Sequence, residues 1–245
     1  MQIQTPNSQL FKSYALAEHA ITLEFGNEID EHVAEKVSSF KALLNEYPFT
    51  GMLSLVPAYT TLSIFFDPLA VILNPSLEGI DCYEKVMNYL AQIEEKLSAR
   101  KSTLQPDVLS IPVCYGNEHG PDLREVANHT NLSPSEVISM HSSAVYKVHM
   151  IGFTPGFAYL GGMADQLSTP RKKTPARAVA AGSVGIAGTQ TGIYPIQSPG
   201  GWQIIGCTPL KLFEIERSAP ALLKAGDVVK FESITIEEFN KLKRK

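Results

Sequence analysis

The sequence predicts an α+β chain of two domains, a small ferredoxin-like domain over residues 1–105 and a turn-rich β domain over residues 106–245. Three observations carry this. Strand-like and helix-like periodicities alternate as β-α-β-β-α through the first hundred residues, the order of a ferredoxin-like split βαβ unit without its last strand. Residues 98–107, SARKSTLQPD, are polar, hold a proline and have no periodicity, so the domain boundary falls there. Eleven of the 17 glycines lie between Gly152 and Gly206 and cut that stretch into short segments, as in a closed or rolled-up all-β structure.

The elements follow in order. Ala20–Phe25 places Ile21, Leu23 and Phe25 on one side, the period of two of a half-buried strand. Asp30 can cap a helix whose apolar face is Val33, Val37, Phe40 and Leu44, and Pro48 ends it. Met52–Val56 and Tyr59–Phe66 read as strands across a Pro57-Ala58 turn. Asp81 and Glu84 have capping-box spacing ahead of Val86, Leu90, Ile93 and Leu97. In the second domain Val108–Tyr115 is a strand and Pro121-Asp122-Leu123 opens a short helix. Ser133-Pro134-Ser135-Glu136 starts another helix, with a serine cap, proline at the first position and glutamate at the third, and this helix should end near His141. Val145–Ile151, Leu210–Glu216 and Val228–Phe231 read as strands. Thr235 and Glu238 cap a final helix, whose basic end suits the helix dipole.

Composition excludes several classes of function. With 21 basic and 25 acidic residues the net charge is −4, so no chain-wide positive field invites nucleic acid. The 33 residues from Ala178 to Leu210 carry no charge or histidine, yet glycine and proline break their apolar runs below the roughly 18 residues of a membrane span. The first twenty residues lack the parts of a secretory signal, which points to the cytoplasm. Cys82, Cys114 and Cys207 are widely spaced and read as reduced thiols.

Motifs for phosphate and metal fall short. Gly156–Gly161 has the spacing of a phosphate loop, but Gly162 and Met163 stand where Lys and Ser/Thr are needed. Gly182, Gly185 and Gly188 precede no helix pattern that could face a pyrophosphate. His141 and His149 have no carboxylates clustered with them, so no metal ligand set is expected. What the glycine-rich stretch offers is backbone, with directional hydrogen bonds from Gln190, Thr191, Tyr194, Gln197 and Gln203. Phe153, Phe157, Tyr159 and Trp202 add apolar walls. This is the make-up of a pocket or interface, or else of tight turns around an aromatic-filled barrel. Arg171, directly after Pro170, is the best anion contact among Arg171, Lys172, Lys173 and Arg177. His141 is either a residue at the site's edge or a capping or core histidine.

The runs IPVCYGNEHGPDLREVA (111–127), LSPSEVISMH (132–141), MIGFTPGFAYLGGM (150–163), TPR (169–171), AGSVGIAGTQTGIYPIQSPGGWQIIG (181–206) and TPL (208–210) resemble the KipI family, also called PxpB, whose members include the B subunits of 5-oxoprolinase. The resemblance covers residues 108–231 densely and the N-terminal domain loosely. It implies a cyclophilin-like β-barrel of the carboxyltransferase C/D type in the second domain. It also implies work with a PxpC homologue and a PxpA homologue, in an ATP-dependent 5-oxoprolinase that opens 5-oxoproline to glutamate. ATP would then be bound mainly by the partners, since this chain has no recognisable ATP loop. One branch of the family implies an inhibitor of a sporulation sensor histidine kinase, and the PxpB–PxpC pair also resembles the biotin-dependent carboxyltransferase part of urea carboxylase. On this reading His141 and Arg171 are the expected catalytic residues. Phe153, Pro155, Gly156, Phe157, Tyr159, Gln190, Thr191, Tyr194, Pro199, Gly200, Gly201 and Trp202 are expected to meet substrate. The sequence departs from the family pattern at Ala180, where proline is usual, at Ala176-Arg177, which is shifted relative to the usual Pro-Arg, and at Cys207. Arg or Lys is expected at the last of these; if that base contacts an anion, either substrate handling is altered here or the role passes to Arg171 or Arg177.

Overall fold

A computed structural model describes residues 10–28, 30–99 and 107–244, so most of the 98–107 boundary segment lies outside the described residues. The chain divides into two compact units, 1–104 and 105–245.

The first unit is a four-stranded antiparallel sheet with helices. Its elements are β1 (Lys12–Ala17), β2 (Ala20–Glu24), α1 (Glu31–Glu46), β3 (Met52–Ala58), β4 (Thr61–Phe66), α2 (Pro68–Ile72) and α3 (Cys82–Ala99). The strand order is β1-β2-β4-β3. β4 thus lies between β2 and β3 and runs antiparallel to both, while α1 connects the outer pair. The sequence reading omits β1, whose Tyr14 and Leu16 are exposed, because a strand without a buried face leaves no apolar alternation to detect. β1 pairs antiparallel with β2 and forms one edge of the sheet. The β3–β4 turn also falls later than expected. Pro57 lies within β3 opposite Leu62, and Tyr59 and Thr60 make the turn. Proline is tolerated there because β3 is an edge strand.

Helix α1 starts where the sequence places it, for the expected reason: the Asp30 carboxylate accepts from the Val33 amide at 2.8 Å. Val33, Val37, Phe40 and Leu44 are all buried against Ile21, Leu23, Leu62 and Ile64. In α3, Val86, Leu90 and Ile93 join the same core. The short α2, absent from the sequence reading, is begun by Asp67, which accepts from the amides of Leu69 and Ala70. Lys85 is buried yet paired, its Nζ donating to the carbonyls of Leu77 at 2.6 Å and Asn74 at 2.9 Å.

The second unit is built on a closed seven-stranded barrel. Its strands and helices are β5 (Val108–Tyr115), α4 (Leu123–Thr130), α5 (Pro134–Ser143), β6 (Val145–Ile151), β7 (Ala158–Gly161), β8 (Ala176–Val179), β9 (Ser183–Ala187), β10 (Gln190–Ile193), β11 (Ser198–Gly200), β12 (Gln203–Cys207), β13 (Val228–Ser233) and α6 (Ile236–Lys243). Around the barrel the order is β10-β7-β6-β13-β5-β12-β9, and β8 pairs with β11 in a separate ribbon. Inward-facing Ile111, Val113, Tyr146, Val148, Leu160, Ile186, Ile193 and Phe231 fill it. Each such side chain contributes about 1.5–3 kcal/mol of burial. Ser133 and Thr235 form the capping boxes read from the sequence. The strand expected over Leu210–Glu216 is absent. Its alternation is overridden by Glu214, which pairs with Lys211 at 2.9 Å and Arg217 at 2.6 Å and folds the segment into turns, leaving one bridge between Phe213 and Ala221.

Candidate functional site

The glycine-rich stretch supplies β9, β10 and β12, adjacent barrel strands whose outward face carries an aromatic layer. Across β7, β10 and β9, Tyr159 stands opposite Gly192 and Gly192 opposite Gly185. Those two glycines are bare so that rings can lie on the sheet. A Cβ on Gly192 would stand 3.0 Å from both Phe157 and Trp202, and one on Gly185 would stand 3.1 Å from the Trp202 Cβ. Gly200 likewise leaves room for the Tyr194 hydroxyl. The expectation that glycine exposes backbone to a ligand is therefore corrected at these positions: the protein's own aromatics occupy the space.

The layer is a chain of edge-to-face and tilted ring contacts. Phe157 meets Trp202 at 5.5 Å, Tyr194 at 5.1 Å and Tyr159 at 4.7 Å between ring centroids. Phe157, Tyr194 and Trp202 are buried, so they form the floor. Phe153 stands on it, 5.6 Å from Phe157 and 62% exposed. Its φ of +65° is a costly conformation for a bulky aromatic, of the kind found at clamps and binding loops. In the same turn Gly156, at φ +82°, packs under Phe213 with 3.1 Å of clearance for a Cβ, so this glycine serves the turn. Pro155 and Pro199 are exposed, and Gly201 is half-buried.

Arg171 is exposed at the edge of this floor. Its charge pulls the phenols of Tyr159 and Tyr194 down, although burial dominates and keeps both above the ordinary value. The loop that carries it is fixed at several points. Thr169 bridges to Gly188, the Lys172 amide donates to the Gly201 carbonyl at 2.7 Å, and the Gln203 side chain donates to the Pro170 carbonyl at 3.1 Å. Gln190, at the head of β10, is half-buried. The accessible part of the predicted set thus comprises Phe153, Pro155, Arg171 and Pro199, which are exposed, and Tyr159, Gln190, Gly200 and Gly201, which are half-buried, with exposed Arg177 on the adjacent β8.

His141 and Thr191 belong elsewhere. Both are fully buried inside the barrel. Thr191 Oγ1 donates to the Gly185 carbonyl at 2.9 Å, so it accepts from His141 Nε2–H, also at 2.9 Å. His141 Nδ1 is then the acceptor for the Tyr115 hydroxyl at 2.8 Å. This order fixes the neutral Nε2–H tautomer, and burial presses the imidazole pKa down to about 3. The Tyr146 hydroxyl donates to the His141 carbonyl at 2.7 Å, and Phe231 stacks on the ring at 4.6 Å. His141 as a site-edge residue is thus corrected to a core residue, because both ring nitrogens are spent on the protein. Thr191 is corrected for the same reason: its hydroxyl faces the barrel interior.

Two further residues near this surface stand outside the predicted site set. Asp122, at the cap position of α4, makes no side-chain cap bond there. Its carboxylate instead accepts from the Ile204 amide at 2.7 Å and pairs with Lys172 at 2.6 Å. Cys207 is directly opposite Cys114 across the β12–β5 pair. Burial lifts the Cys207 thiol pKa to about 11, while the Lys243 charge from α6 draws it the other way. A positive charge therefore sits near the position where a basic residue was expected, supplied from another element. No group of metal-ligating side chains occurs among the described residues, and no described helix is long and apolar enough to cross a membrane.

The family to which this two-unit chain belongs is that of the carboxyltransferase domains. The family model for the carboxyltransferase domain, subdomain C and D, matches residues 11–223, and the chain belongs to that family. Within it, the chain is similar to B subunits of 5-oxoprolinase. It is 45% identical over 231 residues to that of Bacillus subtilis (strain 168), covering 93% of this chain and 95% of the relative. It is 36% identical to that of Escherichia coli O157:H7, covering 91% and 96%. Among solved structures, the crystal structure of TTHA0988 superposes with a TM-score of 0.75 at 32% identity, covering 88% of this chain. The matched region is 40% of the TTHA0988 chain.

Proposed function

We propose that this chain is the B subunit of an ATP-dependent 5-oxoprolinase, which opens 5-oxo-L-proline to L-glutamate with a PxpA homologue and a PxpC homologue that completes the site. The observation that carries the reading is the aromatic surface of exposed Phe153 and half-buried Tyr159 beside the Arg171 charge. 5-Oxoproline is a small flat ring bearing one carboxylate. Its ring fits the aromatic surface, and its carboxylate suits a guanidinium, which binds such groups through two parallel hydrogen bonds. Burial holds the Tyr159 phenol above its ordinary value, so the ring beside that anion is neutral.

The lactam amide is resonance-stabilised, so ring opening calls for activation by ATP. The glycine-rich turn from Gly152 to Phe157 leads into strand β7 and no helix N-terminus follows it, so this turn does not fit an ATP cradle. We assign ATP to the partners. Nor does His141 move a proton at neutral pH, since burial keeps it uncharged. The chain's own task is to hold and orient the substrate for groups supplied by the partners. We read the first unit as ferredoxin-like with its edge strand drawn from the N-terminal side, the barrel as cyclophilin-like, and the protein as cytoplasmic.

Reconstituting the chain with its partners and following ATP-dependent glutamate formation tests this. Activity is expected only in the complete complex. Arg171→Ala should raise KM for 5-oxoproline about ten- to a hundred-fold, the worth of a charge-assisted pair. Full activity in the isolated chain, or none in the complete complex, would overturn the reading.

A further inference from the structure

We infer that Asp122 is a positioning residue for this site: through its ion pair with Lys172 it sets the loop that holds Arg171 beside Tyr159. The inference rests on the 5-oxoprolinase reading above for the identity of the anion, and on geometry for the rest.

An aspartate at a helix cap position ordinarily turns back to bond the amides of the first turn. Asp122 forgoes this and reaches β12 and the 170–173 loop instead. Its backbone amide donates to the Ile204 carbonyl at 2.9 Å, and its carboxylate accepts from the Ile204 amide at 2.7 Å, so β12 is held from both sides. The same carboxylate oxygen meets Lys172 Nζ at 2.6 Å, with the two side chains only 17% and 26% exposed. Partial burial removes much of the water that weakens surface ion pairs. The pair therefore acts as a fixed strut. The Lys172 backbone is meanwhile pinned to Gly201, the residue before the floor's Trp202. With the Lys172 side chain and backbone both fixed, the preceding residue has little freedom, and it is Arg171 whose charge reaches Tyr159 and Tyr194. Among the described residues Arg171 itself makes no ion pair, as an anion-binding group requires.

Two measurements test this. In the reconstituted complex, Asp122→Asn and Lys172→Met should each raise KM for 5-oxoproline about ten-fold, with the loss falling on KM and not on kcat. The double variant should be no worse than either single one, because both remove the same strut. Lys172→Met leaves the Asp122–Ile204 bond intact and serves if Asp122→Asn folds poorly. In the isolated full chain, the Tyr159 and Tyr194 phenols can be titrated by NMR at their labelled ring carbons. The charge that acts on both phenols is that of Arg171, which lowers them, and Asp122 does not act on either directly, so release of Arg171 by Asp122→Asn should shift both titrations upward. Unchanged KM, multiplied KM effects in the double variant, or a downward phenol shift would each overturn the proposal. If the wild-type complex is inactive, the 5-oxoprolinase reading fails, and the phenol titration still decides the role of Asp122.

Discussion

Acidification should expose the buried Tyr115–His141–Thr191 chain. In the folded protein burial holds His141 neutral with a pKa near 3, against an ordinary value of 6.5. The unfolded chain therefore takes up a proton below pH 6.5 that the folded one refuses. The stability tied to the neutral imidazole is complete above pH 6.5 and drains away as the pH falls towards 3. At about 1.4 kcal/mol per pH unit, the loss reaches about 3 kcal/mol at pH 4.5 and about 5 kcal/mol across the whole window. The assay is urea unfolding at pH 7 and pH 4.5. It is followed by the fluorescence of Trp202, the only tryptophan of the chain, which lies in the second unit and so reports on the barrel. At pH 7, His141→Phe should cost about 2–4 kcal/mol, since the Tyr115 and Thr191 hydroxyls each lose a buried partner. Between the two pH values the variant should lose about 3 kcal/mol less than the wild type, because acidic residues common to both cancel in the comparison. Equal losses in the two proteins would refute the assignment of a buried neutral imidazole.

Gly192→Ala should destabilise the barrel by about 1–3 kcal/mol and shift the Trp202 emission, since its methyl would press on Phe157, Trp202 and the Ala158 carbonyl at 2.9–3.0 Å. Chemical denaturation with fluorescence detection checks both effects. At position 153, glycine should be more stable than alanine by about 1 kcal/mol because only glycine relaxes at φ +65°, while both variants bind 5-oxoproline more weakly in the complex. If alanine proves the more stable, the strain is not there. The Cys207 thiol should react negligibly with iodoacetamide at pH 7 and increasingly above pH 10, given its pKa of about 11. Mass spectrometry of timed samples at each pH would show this, and rapid labelling at neutral pH would contradict the burial.

Local signals were the most readable in the sequence. Asp30, Ser133 and Thr235 begin helices because a cap is a bond between neighbours in the chain, and the side chain that makes it is visible in the residue type. The strands β5 and β6 were equally plain, since their inward positions carry the barrel's large apolar residues. What stayed hidden depends on pairing over long distances. His141 is fifty residues from Thr191, and only closure of the barrel turns an ambiguous helix-end histidine into a core group. Asp122 looks like an ordinary helix start until Ile204 is brought to it. At Gly185 and Gly192 composition revealed that a side chain was unwanted, and tertiary packing alone decided whether a ligand or a tryptophan would take the space. The false strand at Leu210–Glu216 arose from alternation without regard to charge, because ion pairs three residues apart favour a turn.

The barrel's first and last strands are neighbours: β13 runs parallel to β5, from Val228 beside Val108 to Ser233 beside Val113. A ribosome delivers these strands at opposite ends of the unit's synthesis. Until β13 emerges, β5 and β6 each present an open hydrogen-bonding edge, and the aromatic floor is assembled on an unclosed sheet. Such edges are sticky, so the nascent unit is exposed to aggregation for nearly the whole of its translation. A chain cut before Val228 would consequently be an open sheet prone to self-association and not a slightly shorter barrel.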